Sequence, residues 1–272
     1  MLHEMIHLNK HYNLENDPKL EIIVPYLNDF NLRDKSRGIL ICPGGGYSFV
    51  SVREADAVAL AYMNNGYCTF ILHYTINKSY QTPMHELACA IDYLRNNAEK
   101  YYLDKDKIAV IGFSAGGHLV ASYGYLHKNE KFLSVVNLSK DNIKPNCVLL
   151  SYPVITMDIA THGGTRNVIT GGNKELLNFM SVEKNIDNEY PPTFIWTTKE
   201  DTIVPYVNST LLVDELIKHN IKHQFVLFEH LDHGKSTGSK LINDFDSKEK
   251  SLYEELSTWV DKSLVFLDEI LG

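Results

Sequence analysis

Lys107-Ile108-Ala109-Val110-Ile111-Gly112-Phe113-Ser114-Ala115-Gly116 is the stretch that decides the fold of this chain. An apolar run of strand length ends in a Gly-x-Ser-x-Gly pentapeptide, and a helical pattern starts just after the serine. That context asks for a sharp strand-to-helix turn with the Ser114 hydroxyl standing above a sheet. Gly112 and Gly116 remove side chains that would collide with neighbouring backbone. The helix N-terminus beyond the turn favours negative charge developing at the serine.

Outward from this turn, apolar strands and helical patterns alternate. Gly38–Cys42, Tyr67–Tyr74, Cys147–Ser151, Thr193–Thr197 and Gln224–Phe228 read as further strands. Helices are expected over 53–65, 84–100, 206–219 and 249–268, besides the one after Ser114. Continuous apolar strands separated by helices require a sheet covered on both faces. The expected fold is therefore α/β, a mostly parallel, doubly wound sheet. Leu20–Leu27 and Met5–Leu8 can add antiparallel strands at the amino-terminal edge.

Residues 1–272 are read as a single domain, since α/β enzymes commonly run this long as one unit. Residues 153–192 stand apart, with Gly163-Gly164, Gly171-Gly172, Pro191-Pro192 and weak helical periodicity. So long an excursion is expected to be a functional insertion, a short lid or pocket wall. Asp244 to Lys250 reads as a solvated loop leading into the last helix.

The 272 residues are 44% hydrophobic and 22% charged, enough apolar material for a core and unlike a disordered chain. The formal charge is −8 with no stripe of Lys and Arg, so no nucleic-acid partner is expected. Met1 to Leu8 lacks a signal peptide's basic start and apolar stretch, and no apolar run approaches the roughly 20 residues of a membrane span. A cytoplasmic protein with no membrane partner is the expectation. Cys42, Cys68, Cys89 and Cys147 form no C-x-x-C pair and read as reduced, mostly buried residues. No cofactor is expected.

Candidate chemistry gathers around Ser114. Cys42-Pro43-Gly44-Gly45-Gly46-Tyr47 follows the first strong strand, where backbone amides can approach a substrate oxygen. Gly45, Gly46 and Ala115 are the candidate oxyanion donors; which glycine points inward is open. Tyr47 is a candidate substrate contact, with packing the alternative. The acid should follow a later strand, which selects Asp201 in Thr197-Thr198-Lys199-Glu200-Asp201; Glu200 and Asp158 are the rivals. The base comes last in the order Ser, acid, His. His233, followed by Gly234, is the candidate, with His230 its competitor. Glu229, His230 and His233 lack the H-E-x-x-H spacing of a zinc site, so no metal is expected. His118 reads as a packing and hydrogen-bonding residue of the nucleophile helix.

Pro43-Gly44-Gly45-Gly46-Tyr47, Gly112 to Leu119, Pro191-Pro192-Thr193-Phe194 and Val204-Pro205 together resemble the acetyl-xylan-esterase-like and feruloyl-esterase-like branch of the α/β-hydrolases, near the hormone-sensitive-lipase-like esterases. Thr165 to Gly171 also matches a loop carried by that branch. The likeness spans roughly residues 38–267. It implies an α/β-hydrolase fold and a serine carboxylesterase acting on small acyl, especially acetyl, esters of sugars or oligosaccharides. It supports Ser114, Asp201 and His233 position by position. The chain departs from it at Glu229 to Asp232, which is poorer in glycine, and at Glu200, where another aspartate is common. An amidase, arylformamidase or peptidase using the same residues, and a non-catalytic ligand-binding relative, are the alternatives. Homodimerisation is left open.

Overall fold

The computed structural model describes residues 1–25, 35–158, 160–243 and 248–272. Eight strands, β1 (Leu2–His7), β2 (Lys19–Val24), β3 (Ser36–Cys42), β4 (Cys68–His73), β5 (Leu103–Phe113), β6 (Cys147–Ser151), β7 (Thr193–Thr198) and β8 (His223–Phe228), form one sheet. Their order is β1-β2-β4-β3-β5-β6-β7-β8. β2 runs antiparallel to both of its neighbours, and β4 through β8 pair in parallel. The helices are α1 (Asp56–Met63), α2 (Gln81–Asn96), α3 (Ala115–Leu126), α4 (Glu130–Val136), α5 (Lys140–Ile143), α6 (Gly163–Thr170), α7 (Lys174–Met180), α8 (Val207–Lys218) and α9 (Lys250–Leu271).

The central strands are apolar at nearly every position because both faces are covered. Leu40, Val110, Val148 and Ile195 point into a core shared with Leu87, Ile91 and Leu94 of α2, Leu119 of α3 and Leu212 of α8. Ile39, Ile41, Ile111, Leu149 and Trp196 point the other way, against Val58 and Tyr62 of α1 and Leu256, Trp259 and Phe266 of α9. Each such side chain, once buried, contributes roughly 1.5–3 kcal/mol relative to exposure. All four cysteines are free and buried among these layers.

The two N-terminal strands lie at the sheet edge as expected; Tyr26 and Leu27 fall outside the described residues, as do residues 244–247 of the expected loop. α2 begins at Gln81, ahead of the expected start, because Pro83 then occupies the first turn, where an amide hydrogen has no helical partner. α4 and α5 fill the stretch before β6, where no element was expected. Asn129 caps α4 by accepting from the Phe132 amide at 3.2 Å. Residues 153–192 hold α6 and α7, and Val154, Ile155, Met157, Ile169, Met180 and Val182 pack into the α2–α3 core. Asn208 of α8 ties this segment down, accepting from the amides of Ile155 and Thr156 and donating to the Ala160 carbonyl.

The loops after β3, β5, β7 and β8 leave the same, carboxyl edge of the sheet. That edge is where open α/β sheets hold ligands.

Candidate active site

Ser114 joins β5 to α3 with φ 52° and ψ −116°, a conformation that a residue with a side chain adopts only under constraint. The constraint is visible. The Ser114 amide donates to the Ser151 carbonyl at 3.0 Å, and the Ser114 carbonyl accepts from the amides of His118 and Val154, both at 3.1 Å. Gly116 allows α3 to start hard against the end of β3, since a Cβ there would lie 2.1 Å from the Cys42 carbonyl oxygen.

His233 Nε2 lies 2.8 Å from Ser114 Oγ, and His233 Nδ1 lies 2.7 Å from Asp201 Oδ2. Asp201 Oδ1 accepts from the amides of Ile203 and Val204 at 3.0 and 2.8 Å. The Asp201 side chain is wholly buried and that of His233 is 14% exposed, so the pair is shielded from screening by water. The structure therefore brings Ser114, His233 and Asp201 into one line. It does not bring in their rivals. His230 Nδ1 donates to Glu200 at the surface, and Asp158 pairs with Lys184 at 2.8 Å.

Asp232 joins the acid and base loops. Its Oδ1 accepts from the Thr202 amide at 2.9 Å and from the His233 amide at 2.8 Å. Burial works against its charge, yet these donors hold the carboxyl below its ordinary range.

The glycine loop curls over Ser114. The Gly44 amide donates to Glu54 Oε2 at 2.7 Å, while the amides of Gly45 and Gly46 meet no acceptor among the described residues. The Ala115 amide opens α3, so it has no partner within the helix. Gly45 and Gly46 have φ of +125° and +62°.

Tyr47 is not at the cleft. It is fully buried, and its hydroxyl donates to His118 Nδ1 at 3.0 Å while His118 Nε2 donates to the Met180 carbonyl at 2.9 Å. As a candidate substrate contact it is corrected to a core residue, because its left-handed backbone (φ 60°) turns the ring inward against Tyr74 and His118. His118 packs and hydrogen-bonds as expected.

Three residues had no place in the sequence reading. Glu54 follows the glycine loop and resembles an ordinary acidic residue of a first helical turn, yet it is buried. Tyr152, just past β6, donates to Glu54 Oε1 at 2.7 Å and sets its ring 4.8 Å from that of His233. His162 caps α6 through Nδ1, which accepts from the Thr165 amide, so its proton sits on Nε2. Burial first, and His233 second, lower its basicity. Its Cε1 would lie 3.2 Å from a Cβ on Gly46, which sets the ring beside the glycine loop. Only the Gly163-Gly164 pair next to His162 hinted at such a close approach.

Among the described residues, no group of three or more His, Cys, Asp or Glu could hold a metal ion, and no helix is long and apolar enough to cross a membrane.

An eight-stranded sheet in this order, with a strained serine at the β5–α3 turn, is the α/β-hydrolase fold. Solved structures agree. The carboxylesterase Cest-2923 from Lactobacillus plantarum WCFS1 superposes with a TM-score of 0.88 at 26% identity, covering 100% of this chain and 99% of that one. Among proteins of known sequence, an endo-1,4-beta-xylanase B from Butyrivibrio fibrisolvens is 34% identical over 203 residues, 72% of this chain and 32% of its own length. An acetylxylan esterase from Xylanibacter ruminicola is 25% identical over 258 residues, 91% of this chain and 49% of its own. The chain thus spans a third to a half of the length of these curated relatives. The BD-FAE family model matches residues 26–216, and the chain belongs to that family.

Proposed function

We propose that this chain is a serine carboxylesterase working through Ser114, His233 and Asp201. The observation that carries the reading is the unbroken line from Asp201 Oδ2 through His233 to Ser114 Oγ, at 2.7 and 2.8 Å. Asp201 accepts a hydrogen bond from Nδ1–H, so Nε2 faces Ser114 with its lone pair. His233 takes the hydroxyl proton as Ser114 attacks the ester carbonyl. The amides of Gly45, Gly46 and Ala115 hold the developing oxyanion, each donor contributing roughly 3–4 kcal/mol. His233 then protonates the departing alcohol, and water repeats the sequence on the acyl-enzyme.

The substrate class we assign is small acyl esters, chiefly acetyl esters of sugars or oligosaccharides. Its support is the likeness to the acetylxylan esterase over 91% of this chain. Residues 153–192 serve as a wall of the pocket through His162, in one domain with the rest.

The test is hydrolysis of p-nitrophenyl esters of increasing acyl length, then of acetylated xylo-oligosaccharides, by wild type, Ser114→Ala and His233→Ala. The expected result is a preference for acetate, lost in both variants, and fluorophosphonate labelling that disappears with Ser114. Turnover no greater than the Ser114→Ala background would sink the ester reading and turn attention to amides or to binding alone.

A further inference from the structure

Glu54 is 4% exposed at the end of a short 3-10 turn (Val52–Glu54), and no Lys or Arg pairs with it among the described residues. A buried carboxylate without a cation costs several kcal/mol unless donors surround it. Both of its oxygens accept: Oε2 from the Gly44 amide and Oε1 from the Tyr152 hydroxyl, each at 2.7 Å. Two donors, one to each oxygen, suit the ionised form, which can only accept. The Tyr152 oxygen in turn accepts from the Ser236 amide at 3.2 Å, and Ser236 Oγ donates to the Arg53 carbonyl at 2.7 Å. One carboxylate therefore fastens the glycine loop on one side and, through Tyr152, the loop that carries His233 on the other.

We propose that Glu54 is the positioning residue of this site: it occupies the Gly44 amide so that the next amides face the substrate, and it supplies a second buried negative charge beside the His233 imidazolium. The proposal rests on the esterase reading of Ser114. Fixing the Gly44 peptide sets the orientation of the Gly45 and Gly46 amides, whose value as donors depends on being aimed before charge develops. The charge acts on the other half of the reaction. As Ser114 attacks, His233 becomes cationic; Asp201 touches it, and Glu54 interacts with it across the Tyr152 ring.

The surroundings of both groups are defined. His233 is faced by Asp201, Asp232, Glu54 and the neutral His162. Glu54 is faced by Tyr152, Tyr74, Ser51, the Gly44 amide and His233. Burial holds the Glu54 carboxyl above the ordinary range, an effect that Tyr152, the Gly44 amide and His233 offset only in part.

The test compares pH–rate profiles of wild type, Glu54→Gln, Glu54→Asp and Tyr152→Phe of the full chain on p-nitrophenyl acetate. Glu54→Gln keeps the shape and removes the charge. Its kcat is expected to fall about 10-fold or more with KM within about twofold. The acid limb of its kcat/KM profile moves to lower pH, by roughly half a unit or more, because an imidazolium forms less readily without the nearby anion. Glu54→Asp retains the limb, since the charge remains, but loses kcat, since the shorter side chain cannot span both loops. Histidine ring-proton titration by NMR in the Ser114→Ala background reads the same shift without turnover, so it decides the charge coupling even if wild type hydrolyses no ester. A folded Glu54→Gln with wild-type kcat and an unmoved acid limb overturns the proposal. If Glu54→Gln does not fold, Tyr152→Phe, which keeps the ring against His233 and cuts the link between the loops, must lower kcat while KM holds; unchanged kcat there overturns it equally.

Discussion

Asp201 holds His233 through one carboxylate oxygen, 2.7 Å from Nδ1, while its other oxygen is held by the amides of Ile203 and Val204. An ionised carboxylate can only accept, so Nδ1 carries the proton and Nε2 is left basic toward Ser114. Asp201→Asn keeps the shape but offers an amide N–H to Nδ1, which selects the wrong tautomer. We expect kcat on p-nitrophenyl acetate to drop by about 10³–10⁴-fold with little change in melting temperature. A variant retaining a tenth of wild-type kcat would show that Asp201 does not govern the ring.

Glu200 and His230 stand one residue before Asp201 and three before His233, yet they bond each other at 3.1 Å on the surface. Exposed pairs of this kind contribute little. Glu200→Ala and His230→Ala are therefore expected to keep kcat/KM within about twofold, with no cost to folding detectable in a thermal melt. A large activity loss in His230→Ala alone would reopen the choice of base.

The alternation that made β3, β5 and β6 recognisable comes from burial on both faces, a property of nearly every residue in those strands. Ser114 announced itself because only glycine fits at positions 112 and 116. That Asp201 and His233 lie together beside Ser114 could be anticipated from their place at strand ends, although adjacent carboxylates and imidazoles made the assignment a choice. Glu54, Tyr152 and His162 were not legible, since each acts through a partner far away in sequence: Tyr152 for Glu54, His233 for Tyr152, Gly46 for His162. Tyr47 misled for the converse reason. Its neighbours in sequence are site residues, while its contacts, Tyr74 and His118, belong to the core. The segment 153–192 showed weak periodicity because its helices are short and capped by His162 and Asn173.

Gly45 adopts φ +125°, and a Cβ there would lie 2.0 Å from the Phe49 carbonyl oxygen. Alanine is thus strained in conformation and blocked in space, and the loop must move. Gly45→Ala should lose about 10²–10³-fold in kcat, the range seen when one oxyanion donor is removed. Fluorophosphonate labelling of Ser114 should slow in parallel, because that reaction uses the same donors. Labelling at the wild-type rate alongside low kcat would place the damage elsewhere.

His118 ties the site to residues 153–192 through a bond pattern that only the neutral ring allows: Nδ1 accepts from Tyr47 and Nε2 donates to Met180. Burial pushes its pKa down to about 4, against the opposing pull of the Met180 carbonyl. In the unfolded chain a histidine titrates near 6.5. Between those values the unfolded state holds a proton that the native state refuses, so stability is full above about pH 6.5 and falls as pH drops toward 4. Over the interval from pH 7.5 to 5 this single group removes about 2 kcal/mol. His127, lowered in the same way, adds a loss of the same sign, and the buried Glu86, raised to about 7, works in the opposite direction. These other groups cancel when wild type and His118→Gln are compared by urea unfolding at both pH values. The variant starts lower at pH 7.5, since it leaves buried polar groups poorly matched, but its loss on acidification should be smaller by about 2 kcal/mol. Equal losses in the two proteins would mean that His118 takes up its proton without opening the bonds that join Tyr47 to Met180.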